Sequence, residues 1–189
     1  MIPTSVTSLG SGVFEYCSLL ASVTLPGSVT SLGSDMFFSC SSLTSLTVPD
    51  SVTNIGSYAF LTCPGLTSVY FKGNAPVADS TVFSGDNVKI YYLPGTAGWG
   101  TFATATGQAP VLWNPQAQTG DGGFGVRTNR FGFNLNGSAN IVVVVEACTN
   151  FFNPVWQPEQ TNTLMGGMAY FSDPQWTNYP NRFYRLRSP

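Results

Sequence analysis

Apolar positions in the first third of the chain recur at a fixed spacing. Val6, Leu9, Phe14, Leu20, Val23 and Leu25 return one repeat later as Val29, Leu32, Phe37, Leu43, Leu46 and Val48. They return again as Val52, Ile55, Phe60, Leu66, Val69 and Phe71, with Pro3/Pro26/Pro49, Gly10/Gly33/Gly56 and Cys17/Cys40/Cys63 in the same phase. A short fixed period predicts a solenoid in which each coil leaves an apolar face for the next coil to cover. Val23-x-Leu25 and its equivalents alternate like a short strand with one face inward. The prolines that follow stop the strand. Gly10, Gly33 and Gly56 fall where the coil turns and are expected at positive φ.

Between the inward positions lie Ser22 and Thr24, then Ser45 and Thr47, then Ser68 and Tyr70. Stacked coils would align them in two outward rows, about 4.8 Å per step. One interpretation is that small β-compatible polar residues solvate an exposed sheet. The other is a flat recognition surface for a protein or glycan, with Tyr70 as its aromatic anchor. Thr7/Thr30/Thr53 and Ser5/Ser28/Ser51 are expected to form further hydroxyl rows on the coil.

The pattern then decays. Phe83 keeps the phase of Phe60, so a shortened fourth coil is expected with Val88–Tyr92 as its strand, and Trp99, Phe102 and Trp113 follow as a lid for the solenoid end. This gives a first domain over residues 1–114. Residues 115–125, with GDGGFG at 120–125, have the Gly and polar content of a linker. FGFNL, NIVVVVEAC, a stretch around PVWQ, MAYFSD and NRFYRLR then predict about five strands separated by NGS, NP, GG and NYP turns. Residues 126–189 are thus expected as a small all-β sandwich of immunoglobulin or fibronectin type. The fold class is mainly β.

Charge narrows the function. Only 8% of the 189 residues are charged, against about a quarter in an average soluble domain. The net charge is −2, with seven Lys and Arg, which argues against a nucleic-acid groove. No apolar run reaches the roughly 20 residues of a membrane helix, so membrane insertion is not expected. Three of the four cysteines share one repeat position, where they stack inward as small buried residues rather than as disulfides. The repeat is under way by Ile2 without the polar cap an end coil needs. The expectation is therefore a piece of a longer, secreted or cell-surface protein whose signal peptide lies elsewhere.

Little in the sequence supports catalysis. Histidine is absent, which removes the commonest general base and metal ligand together. The acids Glu15, Asp35 and Asp50 fall at different repeat positions, and Asp79, Asp86, Asp121 and Asp173 lie in turn-like contexts. Glu146 is the most constrained acid, but a glycosidase needs two cooperating carboxylates. GDGGFG lacks the lysine and the strand–helix setting of a phosphate loop. No cofactor, catalytic residue or metal ligand is assigned. In the second module Trp156, Trp176, Tyr170, Tyr179 and Tyr184 would stack on sugar rings if exposed, but most are read as core or as interface with the solenoid. Arg182, Arg185 and Arg187 are its basic cluster; Arg185 and Arg187 share a strand face and could grip a carboxylate, although a solvated edge strand is the simpler reading.

Taken together, IPxSVTxLGxxxFxxCxxLxSVTLP, with its LxxLxL-spaced Leu20, Val23 and Leu25, resembles the BspA-like class of bacterial leucine-rich repeats over about the first 70 residues. At position 13/36/59 the chain has Val, Met and Ala, where the class usually has Ala. The resemblance implies an extracellular, non-enzymatic protein of adhesion and macromolecular binding. FSDPQWTNYPNRFYRLRSP is similar to a C-terminal module of secreted proteins of environmental bacteria. The leading expectation is recognition of an extracellular protein or polysaccharide through Ser22, Thr24, Ser45, Thr47, Ser68 and Tyr70. The rival is a structural subunit that stacks with copies of itself into a filament or layer.

Overall fold

The computed structural model describes residues 2–189, which form two compact units, one ending at Leu112 and the other comprising Trp113–Pro189. The first unit is a solenoid. Its short strands are β1 (Ser31–Leu32), β2 (Ser45–Val48), β3 (Asn54–Ile55), β4 (Ser68–Phe71) and β5 (Lys89–Tyr92). Helix α1 (Trp99–Thr106) and strand β6 (Val111–Leu112) follow. One parallel sheet runs β2-β4-β5-β6, and a second, two-stranded one pairs β1 with β3.

Each inward position predicted from the repeat is buried in the second and third coils, including Val29, Leu32, Leu43 and Val48 and their third-coil equivalents. Phe14, Phe37, Phe60 and Phe83 form one column, with ring centroids 5.3, 5.4 and 5.2 Å apart and planes within 10° of parallel. Phe102 of α1 closes it edge-on at 6.4 Å, and Trp99 packs on Phe71 and Tyr92. Both aromatics thus lid the coil stack as expected. The third, Trp113, belongs to the second unit, where its indole N–H donates to the Val142 carbonyl.

Backbone N–H groups of Asp35, Phe37 and Ser39 donate to carbonyls of Ser57, Ala59 and Leu61 one coil on. The Cys40 and Cys63 thiols donate to the carbonyls of Phe14 and Phe37. All four cysteines are free. At the fourth coil side chains take over two bonds that backbone carbonyls accept in the earlier coils. Tyr58 N–H donates to the Thr81 hydroxyl and Cys63 N–H to the Asp86 carboxylate. Asp86 is therefore more than a solvated turn residue.

Gly10, Gly33 and Gly56 are not at positive φ; the left-handed positions are Gly12/Asp35/Tyr58 and Tyr16/Ser39/Thr62. Gly33 and Gly56 serve close packing instead. A Cβ on Gly33 would lie 2.7 Å from the Ser11 nitrogen, and one on Gly56 2.8 Å from the Gly33 carbonyl carbon.

The second unit holds seven strands. They are β7 (Gln116–Gln118), β8 (Gly125–Arg127), β9 (Arg130–Asn136), β10 (Val142–Cys148), β11 (Gln157–Thr163), β12 (Met168–Asp173) and β13 (Phe183–Arg187). One antiparallel sheet runs β12-β9-β7 with β8 on β9, and the other runs β11-β10-β13. Phe131, Phe133 and Phe171 of the first sheet pack against Tyr184 of the second, so the sheets face each other as a small sandwich. Segment 115–125 is not a free linker, because β7 pairs with β9 there. The strand expected around PVWQ lies further on, as β11. It is a polar edge strand that carries Pro158 beside a bulge, a composition that hides strand periodicity.

The three C-terminal arginines are consumed internally. Glu146, 5% exposed, accepts from Arg185 Nε at 2.7 Å and Arg187 Nε at 2.5 Å across the β10–β13 pair. Arg182 pairs with Asp173 at 2.9 Å and with Glu159. Burial alone would raise the Glu146 carboxyl, but the hydrogen bonds and charges of the two arginines outweigh it and hold it below its ordinary value.

Phe60 stands at the centre of the ring column, so Phe60→Ala is expected to cost about 3–5 kcal/mol in denaturant unfolding. Burial pushes the Cys63 thiol up to about 12, so a thiol reagent near neutral pH should label Cys17 first and Cys63 only on unfolding. Because Glu146 titrates near 4.5 when unfolded and lower when folded, its contribution is complete above about pH 4.5 and is lost as pH falls below that. Unfolding curves of Glu146→Gln should be less stable than wild type at neutral pH, and the gap should narrow in acid.

Candidate functional site

Strand alternation decides which side chains the solenoid sheet shows. In β2, Leu46 and Val48 enter the core, which turns Ser45 and Thr47 outward; in β4, Val69 and Phe71 do so, which turns Ser68 and Tyr70 outward. The parallel register aligns Ser45, Ser68 and Lys89 in one row and Thr47, Tyr70, Tyr91 and Val111 in the other. Four of the six residues proposed from sequence are thus neighbours on paired strands. Ser22 and Thr24 are exposed but lie outside any strand; the segment is tied by the Thr44 N–H to Ala21 carbonyl bond at 3.4 Å.

Tyr70 does not stand free as an anchor. It is 6% exposed, its ring stacked on Tyr91 with centroids 4.9 Å apart. Burial pushes its phenol up to about 12, the Tyr91 hydroxyl adding to the rise and a hydrogen bond with Ser68 opposing it. The second row therefore shows Thr47 and Val111 at its ends, with Tyr70 and Tyr91 buried between them. The first ends in the exposed Lys89, beside the half-buried Ser45, Thr47 and Ser68.

Lys89, Tyr91 and Val111 complete the rows but escape the sequence pattern. The steps from Ser68 to Lys89 and from Tyr91 to Val111 are shorter than the step from Ser45 to Ser68, so a fixed repeat frame misaligns them. The KIYY run is the available signal. The other hydroxyl rows have a different task. Ser28 and Ser51 donate to the Val6 and Val29 carbonyls at 2.6 Å, and Thr30 and Thr53 to the Thr7 and Thr30 carbonyls at 3.3 and 3.4 Å. They join coils.

Among the described residues no group of three or more His, Cys, Asp or Glu is placed to hold a metal ion. None of their helices is long and apolar enough to cross a membrane. The rows offer hydrogen-bond donors and acceptors on a rigid frame, which suits binding of an extended partner.

A family model described as BspA type leucine rich repeat region, in six copies, matches residues 1–98. Among solved structures, the chain is similar to a leucine-rich repeat protein of T. pallidum, at 25% identity and a TM-score of 0.44. The match covers 58% of this chain and 59% of that one, so the chain spans less than two thirds of that protein's length. No curated protein sequence matches. Leucine-rich repeats in general serve protein recognition. With the matched repeats filling more than half its length, the chain belongs to the BspA-type leucine-rich-repeat family.

Proposed function

We propose that the chain is a non-enzymatic recognition module working at or outside a bacterial cell surface, where it binds a protein or glycan through the outward face of the solenoid sheet. The observation that carries this is the in-register alignment of Ser45 with Ser68 and Lys89, next to Thr47, on strands fixed by the coil stack. Hydroxyls held at strand spacing meet a repeating ligand without ordering cost in the protein. The hydroxyl-rich, charge-poor composition supports an extracellular setting, as does the family.

Stacking into a filament is less well supported. It needs an open coil at each end, and α1 occupies the downstream end with Trp99 and Phe102.

Contacts spread over a flat face are individually weak, so the test uses bulk and charge. Immobilised polysaccharides and matrix or cell-surface proteins would be screened with the wild-type chain and with Ser45→Arg/Lys89→Glu, their folding compared by circular dichroism. A hit weakened about tenfold or more in the folded variant is expected. A hit bound equally by both would remove the strand face from the assignment.

A further inference from the structure

The second unit carries an open cleft of about 900 Å³ on the outer face of the β12-β9-β7 sheet, lined by Asp121, Arg127, Arg130, Asn134, Tyr170 and Ser172 among others. Its lining follows from the strand register. Phe131, Phe133 and Phe171 turn inward toward Tyr184. Arg130 and Asn134 on β9, and Tyr170 and Ser172 on β12, therefore share the opposite face, with Asn134 paired to Tyr170.

The arginines are the unusual element. β8 and β9 form a hairpin around Thr128 and Asn129, both at positive φ, which sets Arg127 directly across from Arg130. Like charges directly opposite in an antiparallel pair repel. Among the described residues neither forms a salt bridge, whereas Arg182, Arg185 and Arg187 are all tied to carboxylates. Asp121 feels Arg127 only as the least of the influences that hold its carboxyl below the ordinary value, behind its bonds to Asn134 and Gly123. In a chain of net charge −2, two adjacent arginines outside any ion pair make a local positive site.

The rest of the cleft is suited to a ring bearing hydroxyls. Gly132 lies beneath Tyr170; a Cβ there would be 2.7 Å from the Tyr170 ring carbon that carries the hydroxyl. The missing side chain lets the hydroxyl end of the half-exposed tyrosine cross over β9, with the rest of the ring open to the cleft. GDGGFG supplies one wall. Asp121 accepts from the Gly123 N–H and from the Asn134 amide, each at 2.8 Å, and a Cβ on Gly123 would fall 2.8 Å from Asn134 Cγ. The carboxylate is thereby fixed in place and, beside Ser172, presents an acceptor to ligand hydroxyls.

We propose that this cleft binds a carboxylate-bearing sugar, such as a uronic acid residue of an acidic polysaccharide. Arg127 and Arg130 hold the carboxylate, Tyr170 lies against the sugar ring, and Asp121 and Ser172 take its hydroxyls. Charge complementarity selects an anion, and the aromatic ring with fixed acceptors selects a sugar over a bare ion. Every residue that lines the site belongs to the second unit.

The test is calorimetric titration of the full chain with oligogalacturonate, a neutral galactan oligomer, and a sulfated dextran at matched charge. Oligogalacturonate is expected to bind, the neutral oligomer not. Arg127→Ala/Arg130→Ala and Tyr170→Ala should each weaken binding about tenfold or more, while Ser45→Arg/Lys89→Glu leaves it unchanged. The arginines sit on an exposed hairpin, so the double variant should keep the wild-type melting curve. Absence of oligogalacturonate binding would overturn the proposal. So would equal binding of sulfated dextran, which would indicate simple ion exchange, or undiminished binding by the folded arginine variant.

Discussion

The first unit depends on the commensurate stacking of its coils. Backbone donors in one coil must meet carbonyls in the next, and this hydrogen-bonded step sets the phenylalanine ring centroids 5.2–5.4 Å apart, a separation that offset-stacked aromatic pairs prefer. Hydrogen bonding and packing thus demand the same repeat length. Any insertion that shifted one would break the other, which is why the sequence keeps a single repeat length through three coils. The thiol and glycine positions obey the same constraint. A cysteine satisfies a carbonyl of the previous coil while filling apolar space, and a glycine lets two backbones approach where a methyl group would not fit.

Departures from the repeat are compensated rather than left open. In the fourth coil Thr81 and Asp86 provide side-chain oxygens where the earlier coils use backbone carbonyls. After it the chain changes chemistry altogether, to a helix whose Phe102 finishes the ring column while Trp99 covers Phe71 and Tyr92. A buried N–H without an acceptor is costly, so an irregular coil requires such substitutions before it can serve as a stable end.

How much of this is legible in the sequence follows from how strictly each position is repeated. The inward residues are readable because the period recurs three times and burial follows it in the second and third coils. The turn conformations are not, since the left-handed positions carry Gly, Asp and Tyr in one set and Tyr, Ser and Thr in the other, and residue identity gives no common signal. The outward rows are half legible. Ser45, Thr47, Ser68 and Tyr70 fall in phase, but nothing local to Tyr70 announces that Tyr91, one shortened coil on, stacks against it. In the second unit the apolar strands are clear and the polar edge strands are hidden. The arginine cluster is conspicuous in sequence yet neutralised by Glu146, Glu159 and Asp173, whose partnerships span strands far apart in the chain. Arg127 and Arg130, split by two turn residues inside a stretch that reads as loop, carry no such signal.

The left-handed turn positions have a wider consequence. Gly12, Asp35 and Tyr58 share a backbone conformation that disfavours most side chains, yet they are chemically unrelated. The coil stack enforces the conformation, so residue choice there is released from the task of shaping the chain. Drift in sequence along this edge changes what the surface displays without changing coil pitch. Three chemically unrelated residues thus occupy equivalent places on one rim of the solenoid over a core that repeats.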